Sequence, residues 1–381
     1  MIEDWPMKAK IGTLSIEHFR SFRQLKLEGL GRVNLITGRN NTGKSSILEA
    51  LRILASDASP PVLSSILRYR EEDIGEADEP GRSVDTESLS QLGSLFTGFP
   101  QISEIKEPIV LAANGGKRTM RLTISVGFFT EQREPDGTRR LVPQQQTLPL
   151  PETELMPALI LESGTARRIM PLDYLRRFAR GRIFRGDSPE EPRTPCVFVS
   201  PYGGERTANL GPLWDKIALS DREKDVVEAL KIIAPEITAV SMVGGEGPRQ
   251  TRTAIVRSSG FNRPVPLRSY GDGLNRLFGI VLSLVNAKDG FLLIDEFENG
   301  MHHTVQLDVW RGILRLAKLL NVQVFATSHS WDSIEAFQKA AAEDPEVGVL
   351  VRLTRRGDAV IPTLFQEEEL AVATRDRIEV R

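Results

Sequence analysis

Apolar residues recur along this chain in two rhythms, and the clearest stretches alternate between them. A run from Arg32 to Thr37 is apolar enough for a buried strand. After a glycine-bearing segment, Ile47, Leu48, Leu51 and Leu54 follow at helical spacing. In the last third, Leu274, Leu277, Phe278, Val281, Leu282 and Val285 form one helical stripe, and Val305, Val309, Ile313, Leu316 and Leu320 form another. Between them, Phe291 to Ile294 is a short all-apolar run ending in Asp295-Glu296. Val322 to Ala326 reads as a second buried strand, ending in Thr-Ser-His-Ser. Gly348 to Leu353 and Ala359 to Leu364 read as a hairpin around Arg356-Gly357. Alternating strands and helices predict a parallel sheet covered by helices.

The remaining segments are less regular. Ile11 to Glu17 reads as a first strand, and Pro195 to Ser200 as a buried one. Lys117 to Phe129 and Arg139 to Leu150 alternate as paired strands. Residues 57 to 105, rich in Ser, Pro, Gly and acids, read as loops with short helices. Leu213 to Ala234 reads as helical, with Ser220-Asp221-Arg222-Glu223 as a capping box opening its second half.

Composition narrows the class. The net charge of -2 argues against a chain coated for nucleic acid, while leaving room for a local basic patch. The single cysteine, Cys196, excludes an intramolecular disulfide, fits a reducing compartment, and reads as a buried structural thiol within Cys196-Val197-Phe198-Val199. The N-terminus lacks a basic-then-apolar signal layout, and the longest candidate span, Phe278 to Val285, falls short of the ~20 residues a bilayer requires. A cytoplasmic protein without a membrane partner is the expectation.

The chemistry-bearing residues stand at strand ends. Gly38 to Ser45 fits G-x-x-x-x-G-K-[ST] between a predicted strand and a predicted helix. In that pattern Gly38, Asn40, Asn41, Thr42, Gly43, Lys44, Ser45 and Ser46 would surround phosphates. Glycines let backbone N–H groups close on the oxygens, the helix N-terminus adds positive charge, Lys44 reaches the outer phosphates, and Ser45 can ligate Mg2+. The pair at the end of Phe291–Ile294 suits the same chemistry, with Asp295 beside the metal and Glu296 polarising the attacking water. His329, one strand later, is a candidate γ-phosphate contact. His302 and His303 point to different helix faces and lack a third ligand, so a structural or interface role is expected rather than a metal site.

The order of phosphate loop, Ser269-Tyr270-Gly271-Asp272-Gly273, Ile-Asp-Glu and Thr-Ser-His-Ser resembles ABC-type ATPases. With L-S-I-E-H-F-R-S-F near the start and D-E-F-E-N-G-M-H-H after the acids, it is most similar to the RecF and OLD (overcoming lysogenization defect) branch of AAA-annotated proteins, over roughly residues 11–56 and 195–337. The resemblance implies an α/β fold: a P-loop head with a mixed parallel core sheet, an antiparallel β subdomain and a helical lobe. Residues 1–200 and 290–381 would form the nucleotide-binding lobe, with insertions near 57–105 and 151–194, and residues 201–289 the signature lobe. It implies ATP and Mg2+ as ligands. Glu296, Lys44 and His329 become the catalytic set, and Ser45 and Asp295 the metal set. Ser269, Gly271, Asp272 and Gly273 would meet the γ-phosphate held by another subunit, and Asn299 and Gly300 would lie near that subunit.

There are departures from the pattern. Asp272 replaces a glycine of the transporter signature and no glutamine follows Gly273. No glutamine follows Pro195–Ser200 either, so the Mg2+-sensing lever is unassigned. Arg20 either approaches the nucleotide or lies on the surface.

The same resemblance narrows the job. Pro60, Pro61, Pro100, Pro143, Pro171 and Pro212 would break a long coiled coil. Too few residues follow His329 for a fused TOPRIM nuclease. The implied protein is an ATPase head that closes on itself as a dimer or larger assembly and controls a separate TOPRIM-like nuclease or toxin in anti-phage defence. A RecF-like DNA-repair ATPase and a slow-hydrolysing scaffold are the alternatives. Seven arginines between Arg167 and Arg185, against Asp173, could neutralise DNA phosphates, dock an acidic partner, or form a solvated helix face.

Overall fold

The computed structural model describes residues 10–70, 92–115, 118–133, 139–143, 156–172, 174–175, 194–201, 207–231, 234–244, 252–344, 347–366 and 369–372. At its centre is a six-stranded sheet ordered β16-β15-β3-β14-β13-β9. Its members are β3 (Val33–Gly38), β9 (Cys196–Val199), β13 (Phe291–Ile294), β14 (Gln323–Thr327), β15 (Gly348–Arg356) and β16 (Ala359–Phe365). All neighbours run parallel except β16, which returns from β15 through the Gly357 turn. The short strands are mostly apolar because both faces are covered, with Asn34, Thr37, Gln323 and Thr327 as buried polar exceptions, and their two-residue period sorts side chains into two separate cores. Val33, Leu35, Leu292, Ile294, Val324 and Ala326 face one core. Ile36, Phe291, Leu293, Phe325 and Val351 face the other.

Three helices cover the first face: α5 (Asp272–Asn286), α6 (His303–Leu319) and α7 (Trp331–Ala341), whose apolar stripes supply Leu277, Val281, Val309, Ile313, Ile334 and Phe337. The same core extends to α3 (Thr207–Asp215), α4 (Arg222–Leu230) and the strands β10 (Ile237–Gly244), β11 (Arg252–Ser258) and β12 (Val265–Pro266). The lobe expected to be helical is therefore partly a β-meander. Its alternating Val240, Met242 and Ala254, Val256 face the core, a pattern too short to stand out beside the longer helical stripes. The Ser220 hydroxyl turns back to the Ile217 carbonyl instead of capping α4. Glu223 accepts from the Leu219 N–H at 3.0 Å, one residue before the Ser220 N–H that a capping box would use, so the expected box does not form.

Covering the second face are α1 (Lys44–Ala55), α2 (Pro60–Tyr69) and an antiparallel sheet ordered β2-β1-β4-β5-β7-β8, with β6 also paired to β5. These strands are β1 (Thr13–Phe19), β2 (Phe22–Glu28), β4 (Ile109–Gly115), β5 (Arg118–Arg133), β6 (Arg139–Pro143), β7 (Met156–Ser163) and β8 (Ala166–Pro171). The expected pair of strands is β5 and β6, aligned from Phe129 opposite Pro143 to Arg133 opposite Arg139. Residues 144–150, expected to continue β6, lie outside the described residues. Within the segment expected as a basic insertion, β7 and β8 are strands. Arg167 lies near Glu162 at 3.4 Å and Arg168 near Asp57 at 2.8 Å, while Asp173 and the run from Arg176 to Arg185 lie outside the described residues. No described helix is long and apolar enough to cross a membrane.

A buried amide joins the two sheets. Gln323, fully buried at the start of β14, accepts the Ile11 N–H at 2.9 Å and donates to the carbonyls of Ile11 at 2.9 Å and Gly31 at 2.7 Å. It stands in for a strand neighbour at a junction where the backbone has none. Gln323→Leu strands the buried Ile11 N–H and carbonyl, at a cost of roughly 1–3 kcal/mol for each group left unmade, while the Gly31 carbonyl keeps its 2.9 Å bond from Asn34 Nδ2. Urea denaturation is expected to show the midpoint falling by an amount well beyond that of a surface substitution, with the slope unchanged.

Candidate functional site

The carboxyl ends of β3, β14 and β13 open on one cleft of about 610 Å3, lined among others by Asn40, Asn41, Gly43, Lys44, Ser45, Ser46, Asp295, Glu296 and Thr327. The loop from β3 to α1 needs its glycines. Gly38 has φ 144°, and a Cβ there would sit 2.6 Å from the Leu353 carbonyl oxygen. Gly43 has φ 90°, and any Cβ would overlap the Phe22 ring. Thr42 braces the loop from beneath, its hydroxyl donating to the Arg39 carbonyl at 2.8 Å. Gly43 stands at the N-cap of α1, where no side chain caps the helix and the first turn contains no acid. A helix held there by a buried apolar face, with its first N–H groups uncapped, offers donors suited to an anion.

Lys44 folds back over this loop and donates to the carbonyls of Gly38 at 2.7 Å and Arg39 at 3.1 Å. Burial lowers its pKa from the ordinary lysine value, and the charges of Asp295, Glu296 and Glu298 oppose that shift. Opposite lies a short hydrogen-bond chain. The Glu296 N–H donates to the Thr327 hydroxyl at 2.8 Å. That hydroxyl donates to Asp295 Oδ1 at 2.6 Å, and Ser45 Oγ donates to the same oxygen at 3.0 Å. Strand register explains the meeting, since Ile294 pairs with Ala326 and Ile36 with Thr327. Burial pushes the Asp295 carboxyl up from the usual carboxylate range. The hydrogen bonds from Thr327 and Ser45 oppose this, Glu296 adds to it, and Arg70 opposes it. Ser45 and Asp295 thus offer two oxygens at one point, the donor set of a hard cation such as Mg2+, which takes few protein ligands beside substrate phosphate. No group of three or more His, Cys, Asp or Glu suited to a metal occurs among the described residues, His302 and His303 included. His302 instead stands at the N-cap of α6, with its Nδ1 2.9 Å from the Thr304 hydroxyl.

Glu296 adopts φ 46°, in the left-handed region that residues with a Cβ seldom occupy. The next residue fixes the loop: Phe297 is fully buried and stacks on Trp310 at 3.9 Å, and Trp310 meets Phe337 edge-on at 5.0 Å. Asn299 Nδ2 then donates to Glu296 Oε2 at 2.5 Å and to the Pro201 carbonyl at 3.1 Å. Arg20 also lines the cleft, yet it is buried; its Nε pairs with Glu49 Oε2 at 3.1 Å, and Arg70 takes Glu49 Oε1 at 2.6 Å. The surface alternative for Arg20 is excluded. Thr327, Arg70 and Glu49 were missed by motif reading. Thr327 is visible only through register, and Arg70 only once α2 is seen to pack beside α1.

Other expected site residues stand apart from the cleft lining. His329 is half exposed, with Nδ1 3.1 Å from Glu298 Oε1. Ser269 and Gly271 are exposed at the start of α5, where Gly271 is the N-cap with φ 103°; of Asp272 only the backbone is described, and Gly273 follows in the first turn. From α5, Arg276 donates to the carbonyls of Ser200 at 2.8 Å and Asp295 at 3.4 Å. Cys196, expected to be buried, is half-buried; its thiol, beside Arg52, is pushed up to about 12 by burial.

A family model described as an AAA domain, putative AbiEii toxin, type IV TA system, matches residues 149–334, and a second AAA-domain model matches residues 13–89. Both models describe AAA domains, and each covers less than half of this chain. The chain is similar to an ATP/GTP phosphatase of Helicobacter pylori, 24% identical over 383 residues, 94% of this chain and 96% of that protein. Over a shorter stretch it is similar to the DNA replication and repair protein RecF of Idiomarina loihiensis, 46% identical over 44 residues, 12% of each. The SmcHead solved with the C-winged helix domain of ScpA shares its fold at TM-score 0.52 and 11% identity, over 95% of this chain and 99% of that one. The fold is that of an SMC- or ABC-like P-loop ATPase head.

Asp295 is buried as an acid whose folded-state pKa lies above its unfolded value, so its ionised form costs stability at pH values above that raised pKa. Asp295→Asn keeps an acceptor for Ser45 and Thr327 and removes the charge. Melting of the nucleotide-free protein is expected a few degrees higher at neutral pH, with the gain vanishing as pH falls below the ordinary carboxylate value. An unchanged melting temperature at neutral pH would show that the charge is not a burden.

Proposed function

We propose that this ATPase binds MgATP in the cleft between the α1 N-terminus and the acid pair, and that hydrolysis governs the closure of two copies on each other. The observation that carries this reading is the convergence in one cleft of an uncapped helix N-terminus, Lys44, and the Ser45–Asp295 oxygen pair. The loop N–H groups and Lys44 hold the outer phosphates. Ser45 and Asp295 would hold Mg2+, which supplies charge neutralisation at the β- and γ-oxygens when bound. Glu296, steadied by Asn299, polarises the attacking water. His329 meets the γ-phosphate once the nucleotide is seated. The Ser269–Gly273 turn, exposed at Ser269 and Gly271 and outside its own chain's cleft, serves the nucleotide of a second copy. Binding shifts the assembly toward closure only by its differential affinity for the closed state.

In this reading the head controls a separate effector, a TOPRIM-like nuclease or a toxin, in anti-phage defence. The match to a domain model described with a toxin–antitoxin system supports that direction. A RecF-like role in DNA repair is the second reading, favoured by the similarity to RecF. Titration with duplex DNA at low salt separates the two, since the repair role requires binding that weakens as salt rises.

Lys44→Ala is expected to abolish binding of a fluorescent ATP analogue. Glu296→Gln should retain binding, lower kcat by about a hundredfold or more, and shift the protein to dimer or larger with ATP, as read by light scattering after size exclusion. Wild-type turnover in Glu296→Gln would remove Glu296 from the role of base. A monomer at saturating ATP would remove the closing assembly.

A further inference from the structure

Glu298 is a buried acid that the cleft chemistry above does not use. It follows Glu296 by two residues, in the loop between β13 and α6, with a side chain only 10% exposed. Its Oε1 accepts the backbone N–H groups of His329 at 2.9 Å and Ser330 at 3.1 Å and faces the His329 ring Nδ1 at 3.1 Å. Oε2 is buried without a hydrogen-bond partner among the described residues. The two N–H groups belong to the turn that enters α7, where Ser330 is the N-cap, so the carboxylate also sits at the positive end of a helix.

An ionised carboxylate can only accept. The imidazole nitrogen facing it is therefore the one bearing the proton, and Nε2 is the ring's remaining nitrogen. A partner on one ring nitrogen sets both the tautomer and the edge the ring presents. The same oxygen pins the His329 peptide, which fixes the side chain's origin as well as its rotation. We propose that Glu298 is the positioning residue for His329: it links the loops after β13 and β14 and turns Nε2 toward the place where the terminal phosphate is bound. This rests on the reading of His329 as a phosphate contact.

The chain has four histidines, so 15N-histidine NMR of the whole protein is tractable, with the His329 signals identified by their loss in His329→Ala. The nucleotide-free wild type, at a pH where the ring is neutral, is expected to show His329 protonated at Nδ1, and Glu298→Ala is expected to lose that preference. An Nε2-protonated His329 in the wild type overturns the proposal without needing any Glu298 variant to fold. In steady-state assays, Glu298→Ala should lower kcat about ten- to a hundredfold, with a smaller change in KM for ATP. Glu298→Gln, which keeps an oxygen for the same donors, should recover part of the loss. In a His329→Ala background, removing Glu298 should cost nothing further. An equal loss in that background makes Glu298 a staple of the loop alone and overturns the proposal. Wild-type turnover in His329→Ala removes the phosphate role of His329 instead, leaving Glu298's hold on the ring to the spectrum.

Discussion

One carboxylate oxygen organises this molecule. Asp295 Oδ1 receives hydroxyls from Ser45 and Thr327, so it binds the phosphate loop and the ends of β13 and β14 into one unit. Each side chain reaches it because parallel strands in register bring their carboxyl ends to one line, which is where open α/β sheets place ligands. The rest of the fold preserves that line. Two cores, one on each face, hold the short strands flat between helices on one side and α1 with the antiparallel sheet on the other. The Phe297–Trp310 stack keeps the loop beyond Asp295 from drifting.

The legible parts of the sequence were those where one local rule suffices. The phosphate loop, the all-apolar run of β13 and the stripes of α5 and α6 each carry a strong local pattern, and they lie where expected. Less legible was whatever depends on a distant partner. β1 pairs with β4 across some ninety residues, and nothing within Met156–Ser163 says that it pairs with β5. Gln323 reads as a polar intruder in an apolar strand until Ile11 and Gly31 are placed around it.

The site shows the same division. Residue types within a motif were readable because phosphate chemistry demands them. Thr327, Glu298 and the Arg20–Glu49–Arg70 group were not, because their meaning lies in register, burial and a shared carboxylate. Arg20 is the instructive case. Position in the chain left it between nucleotide and surface, and a buried ion pair resolves that in favour of a fixed place on the cleft wall.

The bare N-terminus of α1 has a thermodynamic corollary. In the proposed reading, a magnesium nucleotide would give acceptors to its first peptide groups and opposite charge to the lowered lysine and the raised aspartate together. A ligand that binds only the native state adds about 2.7 kcal/mol of stability at a hundred times its dissociation constant. On that reading the lifetime of this ATPase against unfolding and proteolysis would follow the supply of nucleotide, and a starved cell would hold it in its most fragile form.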